Sequence, residues 1–317
     1  MGENNNFLGF RMLEMISKLF VLAGFLILGA FIGQFFGMFA SVFILELNIK
    51  SGSDPAKLQA VLMNFIQDPN SFNHGSRAFM AMQWFTSLGT FVGSAWAYNK
   101  YRLKQTLSDL SPNTQVSWHI YVWSVVALIV GMPLMEFIIN LNKNIALPAG
   151  YHTLEVWMKT QELAMDKVTQ TLLNFETPVD FVLGLMTIGF LAALGEELFF
   201  RGVLQNIIEK YSLNSHVAVW STAIIFSFIH FQFLGFFPRV LLGAFFGYLY
   251  VWYRNLWIPI ICHFFNNALG VVSSYLYQQK IIDTDPLSGT INSEYYMVVL
   301  SLVLVVFYVR RLYNYKL

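Results

Sequence analysis

Charge is what this chain has least of. Only 12% of its 317 residues are Asp, Glu, Lys or Arg, where a soluble domain carries about 25%. That shortage excludes a fold with water on every side. Neither sign of charge dominates, and the net charge is +1. A basic face for nucleic acid and a strongly acidic partner are therefore both unexpected. Cysteine is nearly absent, and Cys262, the single example, has no partner for an internal disulfide. Long polar stretches are missing too, so no soluble domain is expected despite a length that would hold two.

What remains is apolar length. Hydrophobic residues make up 56% of the chain and aromatics 17%, a content that suits lipid-facing helices with interfacial belts. A hydrocarbon core about 30 Å thick needs roughly 20 apolar residues in a helix. Runs of about that kind occur at Leu19–Leu45, Ala78–Tyr98, His119–Ile139, Val179–Phe200, His216–Leu234, Val240–Tyr253, Leu256–Leu276 and Tyr296–Val309. The expected fold is an all-α polytopic membrane bundle with about eight transmembrane helices, or seven if the fifth and sixth runs are one. The first run is too long for the apolar core of a signal peptide and is expected to stay as a span.

Basic residues near span ends set the expected orientation. With eight spans, Arg11 and Lys18, the cluster Lys100, Arg102 and Lys104, then Lys210, Arg254, and finally Arg310, Arg311 and Lys316 all share one side. Taking that side as cytoplasmic puts both termini inside, in what is expected to be a bacterial inner membrane. Two long outer loops follow, 47–77 and 140–178. The second contains an amphipathic stretch, Leu154 to Leu173, which either lies on the membrane surface or caps the bundle as an exterior helix. Three regions result: an N-terminal transmembrane region at 1–177, a catalytic helical core at 178–275, and a last helix with a basic tail at 276–317.

Ionisable groups inside a span cost several kcal/mol unless paired or hydrated, so they mark function by default. Here they gather in the C-terminal half, as Glu196, Glu197, His230 and His263. In Gly195-Glu196-Glu197-Leu198-Phe199-Phe200-Arg201, Glu197 and Arg201 share a helix face in the better order for an ion pair. Glu196 lies a quarter-turn away without such a partner. A carboxylate left unpaired in apolar surroundings is the kind that general acid–base chemistry uses, which makes Glu196 the expected catalytic residue. The alternative is a solvated helix end. Depth adds a condition: Glu196 and His230 meet at one level only if the helix runs unbroken past Arg201, which would then be partly buried.

Phe226 and His230 share a face, as do His263 and Asn267. Three helices thus supply a carboxylate, two imidazoles and an amide. Two chemistries fit this set. Glu196, His230 and His263 could hold Zn²⁺ with a water in the open position. Alternatively Glu196 and His230 activate water directly, with His263 and Asn267 stabilising the oxyanion. Ser227, Cys262, Gly243 and Gly247 are read as packing residues, and His74, His119, His152 and His216 as solvated loop or span-end histidines. Pro259 and Gly270 would permit a kink.

At these residues the chain resembles the CAAX protease and bacteriocin-processing (Abi) family of intramembrane proteases. Its pattern, E-E-x-x-x-R, F-x-x-x-H and H-x-x-x-N or D, is filled in order by Glu196, Glu197, Arg201, Phe226, His230, His263 and Asn267. The resemblance covers roughly residues 178–275. It implies an endopeptidase with its site in the membrane, reached from the cytoplasmic side, acting on membrane-associated or peptide substrates. Glu196 and His230 would activate water, and His263 and Asn267 would form the oxyanion site. A non-catalytic immunity or binding scaffold of the same family is the alternative. A proton-coupled transporter would call for an internal repeat or paired broken helices, and neither is found.

Overall fold

The structure is a computed structural model that describes residues 2–45, 55–145, 148–286 and 294–316. Among these residues there is no strand, and eleven helices follow one another. They are α1 (Gly2–Ile44), α2 (Pro55–Gln67), α3 (75–103), α4 (Trp118–Val130), α5 (Met132–Lys143), α6 (His152–Leu172), α7 (Pro178–Ser212), α8 (Ser215–Phe228), α9 (Phe236–Tyr253), α10 (Trp257–Gln278) and α11 (Tyr295–Asn314). The apolar runs fall on helices of this bundle, with the third, His119–Ile139, divided between the bent pair α4 and α5 and the fifth running on into the turn after α8. By length and apolarity, however, four helices qualify as spans, or five if the bent pair α4 and α5 is one span. The count of eight does not follow from these criteria, because α8 has 14 residues and the polar side chains in α3 and α10 dilute their apolar content. The protein is an integral membrane protein of apolar helices.

The fifth and sixth runs are separate. The chain reverses at residues 229–235, and α8 and α9 pack as an antiparallel hairpin. α10 is continuous through Pro259 and Gly270. The expected outer loop 47–77 lies partly outside the described residues and otherwise contains α2. The amphipathic stretch forms α6, which caps the bundle. Its Glu162 carboxylate accepts from the Leu234 backbone at 3.1 Å, and Trp157 packs on Phe233.

Burial separates the centre from the rim. The most apolar part of α1 is only 6% buried within the protein and that of α11 11%, against 39% for α7. The first two therefore face lipid, and α7 together with α9, at 44%, lies in the core. Since lipid tails are as apolar as Leu, helix association in a bilayer depends on close packing and interhelical hydrogen bonds. Gly29, Gly33 and Gly37 provide the first. A Cβ on Gly29 or Gly33 would overlap the carbonyl oxygens of Gly89 or Phe85 on α3, and one on Gly37 would stand 2.7 Å from that of Met82. Ser41 provides the second, donating to the Ala78 carbonyl at 2.9 Å. Gly33→Leu is expected to separate α1 from α3 and to destabilise the protein by about 1–3 kcal/mol. Gly270→Ala, which meets nothing within 4 Å, is the control. Melting of both purified variants in detergent checks this, and equal melting temperatures would refute the packing role.

Candidate active site

The site is organised on α7. Thr177 caps its start in a reciprocal box with Asp180, and Pro178 occupies the first turn. Arg77 of α3 grips the same Asp180, with Nε 2.5 Å from Oδ1. The helix then runs unbroken to Ser212, as the depth condition requires. It is not uniform: wider π-type turns at Leu185–Leu191 and Leu198–Gln205 flank the short α segment Ala192–Glu197. Such turns often accompany functional positions. Leu213 ends α7 with φ of 56°, and the Asn214 side chain caps α8 by accepting from His216 and Val217.

Glu197 and Arg201 form a fully buried pair, with Nη1 2.8 Å from Oε1. The sequence reading put Arg201 only partly buried; it is completely enclosed. Two features make that tolerable. Nη2 donates to the Gly243 carbonyl of α9 at 2.9 Å, and the guanidinium lies 5.0 Å from the Phe226 ring centre and 5.6 Å from that of Phe246. Gly243 and Gly247 pack as expected and do more than pack. A Cβ on Gly247 would sit 2.8 Å from Gln205 Oε1, and the carbonyls of both glycines accept from α7 side chains.

His263 joins the pair. Its Nδ1 lies 2.8 Å from the same Glu197 oxygen that receives Arg201, and its ring stacks on Phe246 at 5.4 Å. A carboxylate accepts, so Nδ1 carries the hydrogen, and Nε2 is the free ring atom. That atom stands 3.7 Å from Glu196 Oε2, longer than a hydrogen bond. Glu196 itself is 14% exposed at its side chain. Two adjacent carboxylates thus differ in kind: Glu197 receives two donors, while the closest polar contact of Glu196 is His263.

His230 lies in the turn after α8. Its Nδ1 is 2.7 Å from the Phe226 carbonyl, which again assigns the hydrogen to Nδ1 and leaves the Nε2 lone pair free. Phe226 stands between the two imidazoles, with ring centres 4.8 Å from His230 and 5.9 Å from His263. Measured along their helices from the α7–α8 connection, Glu196 and His230 both lie about 22–24 Å deep. Asn267, one turn beyond His263, donates to the Ile188 carbonyl of α7 at 2.9 Å and accepts from Asn266. An amide nitrogen has two hydrogens, so one donor remains. Ser227 is buried and donates to the Phe236 carbonyl at 2.8 Å, closing the hairpin.

One residue escaped the sequence reading. Arg239 begins α9 and donates to Gln232 at the carbonyl (3.2 Å) and at Oε1 (3.0 Å). Those bonds hold it against the turn that carries His230. The signal was present: Arg239 is the lone charged residue in the 21 residues of Phe233–Tyr253. Starting that run at Val240 excluded it.

The three side chains considered for zinc do not form a ligand set in this arrangement. Among the described residues no three His, Cys, Asp or Glu side chains are gathered to hold a metal. Both histidines use Nδ1 on a backbone carbonyl or a carboxylate and present Nε2.

An unpaired carboxylate beside a paired one, two imidazoles with free Nε2 atoms and an amide on three helices can be compared with known proteins as a unit. Residues 178–269 match the family Type II CAAX prenyl endopeptidase Rce1-like. The matched segment runs from the start of α7 into α10 and includes every residue of the candidate site. The chain is also similar to an uncharacterized protein of Bacillus subtilis (strain 168), YpbD, with 32% identity over 83 residues. That likeness covers 25% of this chain and 39% of the relative, so the chain spans well under half the length of the curated protein it matches. No solved structure matches it.

Proposed function

We propose that the protein is an intramembrane endopeptidase in which Glu196 and His230 activate the attacking water. The contrast between the two glutamates carries this reading. Glu197 is occupied by Arg201 and His263, while Glu196 is held near them without a hydrogen-bonded cation. Glu196 takes a proton from water as the oxygen attacks the peptide carbonyl, and His230 Nε2 orients that water. Asn267 offers its spare N–H to the oxyanion. His263, held at Nδ1 by Glu197, turns Nε2 toward the same site. Glu196 then passes its proton to the leaving amine, which balances the hydrolysis.

The substrates are proposed as peptides or membrane-associated proteins, without the prenyl requirement that the family's description names. The basic helix ends favour a cytoplasmic position for both termini. Zinc at Glu196, His230 and His263 would require the three side chains to draw together, and no step above depends on it. The test compares protein and peptide termini in cells carrying the native protein or Glu196→Ala at equal membrane level. Precursors that accumulate as their products vanish identify the substrate. Indistinguishable termini, where deletion has a phenotype, would replace this reading with the scaffold.

A further inference from the structure

Away from the candidate active site, at the other end of the α8–α9 hairpin, lies a cavity of about 490 Å³ between α1, α3, α7 and α9. Four basic and two acidic side chains line it. The acidic ones are already engaged: Glu14 accepts from Tyr211 at 2.7 Å, and Asp109 accepts from the Thr106 backbone and hydroxyl. Of the basic ones, Arg254 is held by Glu209 at 2.7 Å. Lys18, Arg102 and Lys210 form no ion pair with any described residue. Four cations thus face two carboxylates in the lining, and with Glu209 on Arg254 an excess of positive charge remains.

A second observation points to a ligand. Tyr98 lines the same cavity and is fully buried, yet its hydroxyl has no hydrogen-bond partner among the described residues. A buried hydroxyl without a partner is destabilising, and an acceptor oxygen in the cavity would remove that cost. Depth indicates the kind of acceptor. Trp96 and Tyr101 are exposed on the adjoining part of α3, and the Lys100 ammonium lies 4.7 Å and 5.5 Å from their ring centres. Aromatic and basic side chains of this kind sit at headgroup level.

We infer that this cavity binds the phosphate of an anionic phospholipid headgroup, with Lys18, Arg102 and Lys210 supplying charge and the Tyr98 hydroxyl donating to a phosphate oxygen. Clusters of Lys and Arg beside membrane helices recognise such lipids. The inference does not rest on the protease reading, because none of these residues belongs to the proposed chemistry.

The test is native mass spectrometry of the full-length protein in detergent with phosphatidylglycerol or phosphatidylcholine. The native protein is expected to retain one phosphatidylglycerol with at least tenfold preference over phosphatidylcholine. Lys18→Gln/Arg102→Gln/Lys210→Gln should abolish that preference, and Tyr98→Phe should weaken it several-fold with no change in charge. Arg310→Gln/Lys316→Gln, which removes as much basic charge as two of those substitutions at a site outside the cavity, should retain it. Arg102→Gln alone, at an exposed side chain, keeps the test informative if the triple variant does not fold. An unchanged preference in Arg102→Gln and Tyr98→Phe would overturn the site, as would equal loss in the Arg310/Lys316 control. Inorganic phosphate that binds the cavity as tightly as the lipid would overturn the lipid assignment in favour of a soluble anion.

Discussion

Glu196→Gln is expected to lower hydrolysis by about 10²–10⁴-fold, the range that general acid–base groups contribute, while the protein folds and inserts as before. The two halves of that expectation have separate origins. Gln is nearly the same size as Glu and cannot accept or return a proton at the pH of the reaction, so the chemical step loses its base and its acid together. The fold is spared because Glu196 makes no hydrogen bond that the structure depends on; His263 Nε2 approaches it only to 3.7 Å. Activity on a substrate found from accumulated termini, measured beside the melting temperature, checks both halves. A Glu196→Gln protein that cleaves at more than about a tenth of the native rate removes Glu196 from the mechanism.

The second large effect is on stability. Arg201→Ala is expected to destabilise the protein by about 3–5 kcal/mol, because it leaves the Glu197 carboxylate buried without its cation. It also frees the Gly243 carbonyl that Arg201 Nη2 satisfies and opens a cavity between Phe226 and Phe246. Arg201→Lys restores charge but not two separated donors in one plane, so it should recover only part of the loss. The decisive comparison is the double variant Glu197→Ala/Arg201→Ala. Removing both charges leaves none uncompensated, so the pair should be less damaging than the sum of the two single changes. Thermal unfolding in detergent of the four proteins checks this, and a native-like melting temperature for Arg201→Ala would sink the account.

These two variants also separate chemistry from architecture. Glu196→Gln should lose activity at full stability, whereas Arg201→Ala should lose stability and activity together. The reason is the division of labour between adjacent carboxylates. Glu197 faces the guanidinium one turn on and the imidazole of α10, and Glu196, a quarter-turn round the helix, faces neither as a hydrogen-bond partner.

Much of this was legible in the linear chain because its causes are local. Apolar length marked the helices, since a backbone in hydrocarbon must satisfy its own hydrogen bonds. The i, i+4 spacings paired Glu197 with Arg201 and Phe226 with His230 because one helical turn brings such residues together whatever lies around them. The continuity of α7 past Arg201 followed from requiring Glu196 and His230 at one depth. Other features had no local signal. Spacing within α7 could not show that His263, 66 residues later, shares the Glu197 oxygen with Arg201. Nor could it show that Arg201 is wholly buried, because burial depends on Phe226, Phe246 and Gly243 arriving from α8 and α9.

The sequence by itself determined that this is an all-helical membrane protein whose candidate functional charges inside apolar helices lie between residues 178 and 275, because helix period and hydropathy act over a few turns. Tertiary structure alone decided which carboxylate is bound and which is free. It decided that Arg239 lies against the turn that carries His230, and that Lys18, Arg102 and Lys210 from three helices surround one cavity. Those outcomes are set by which helix faces meet, and in a bilayer that is decided by close contacts and interhelical hydrogen bonds rather than by the apolar pattern along any one segment.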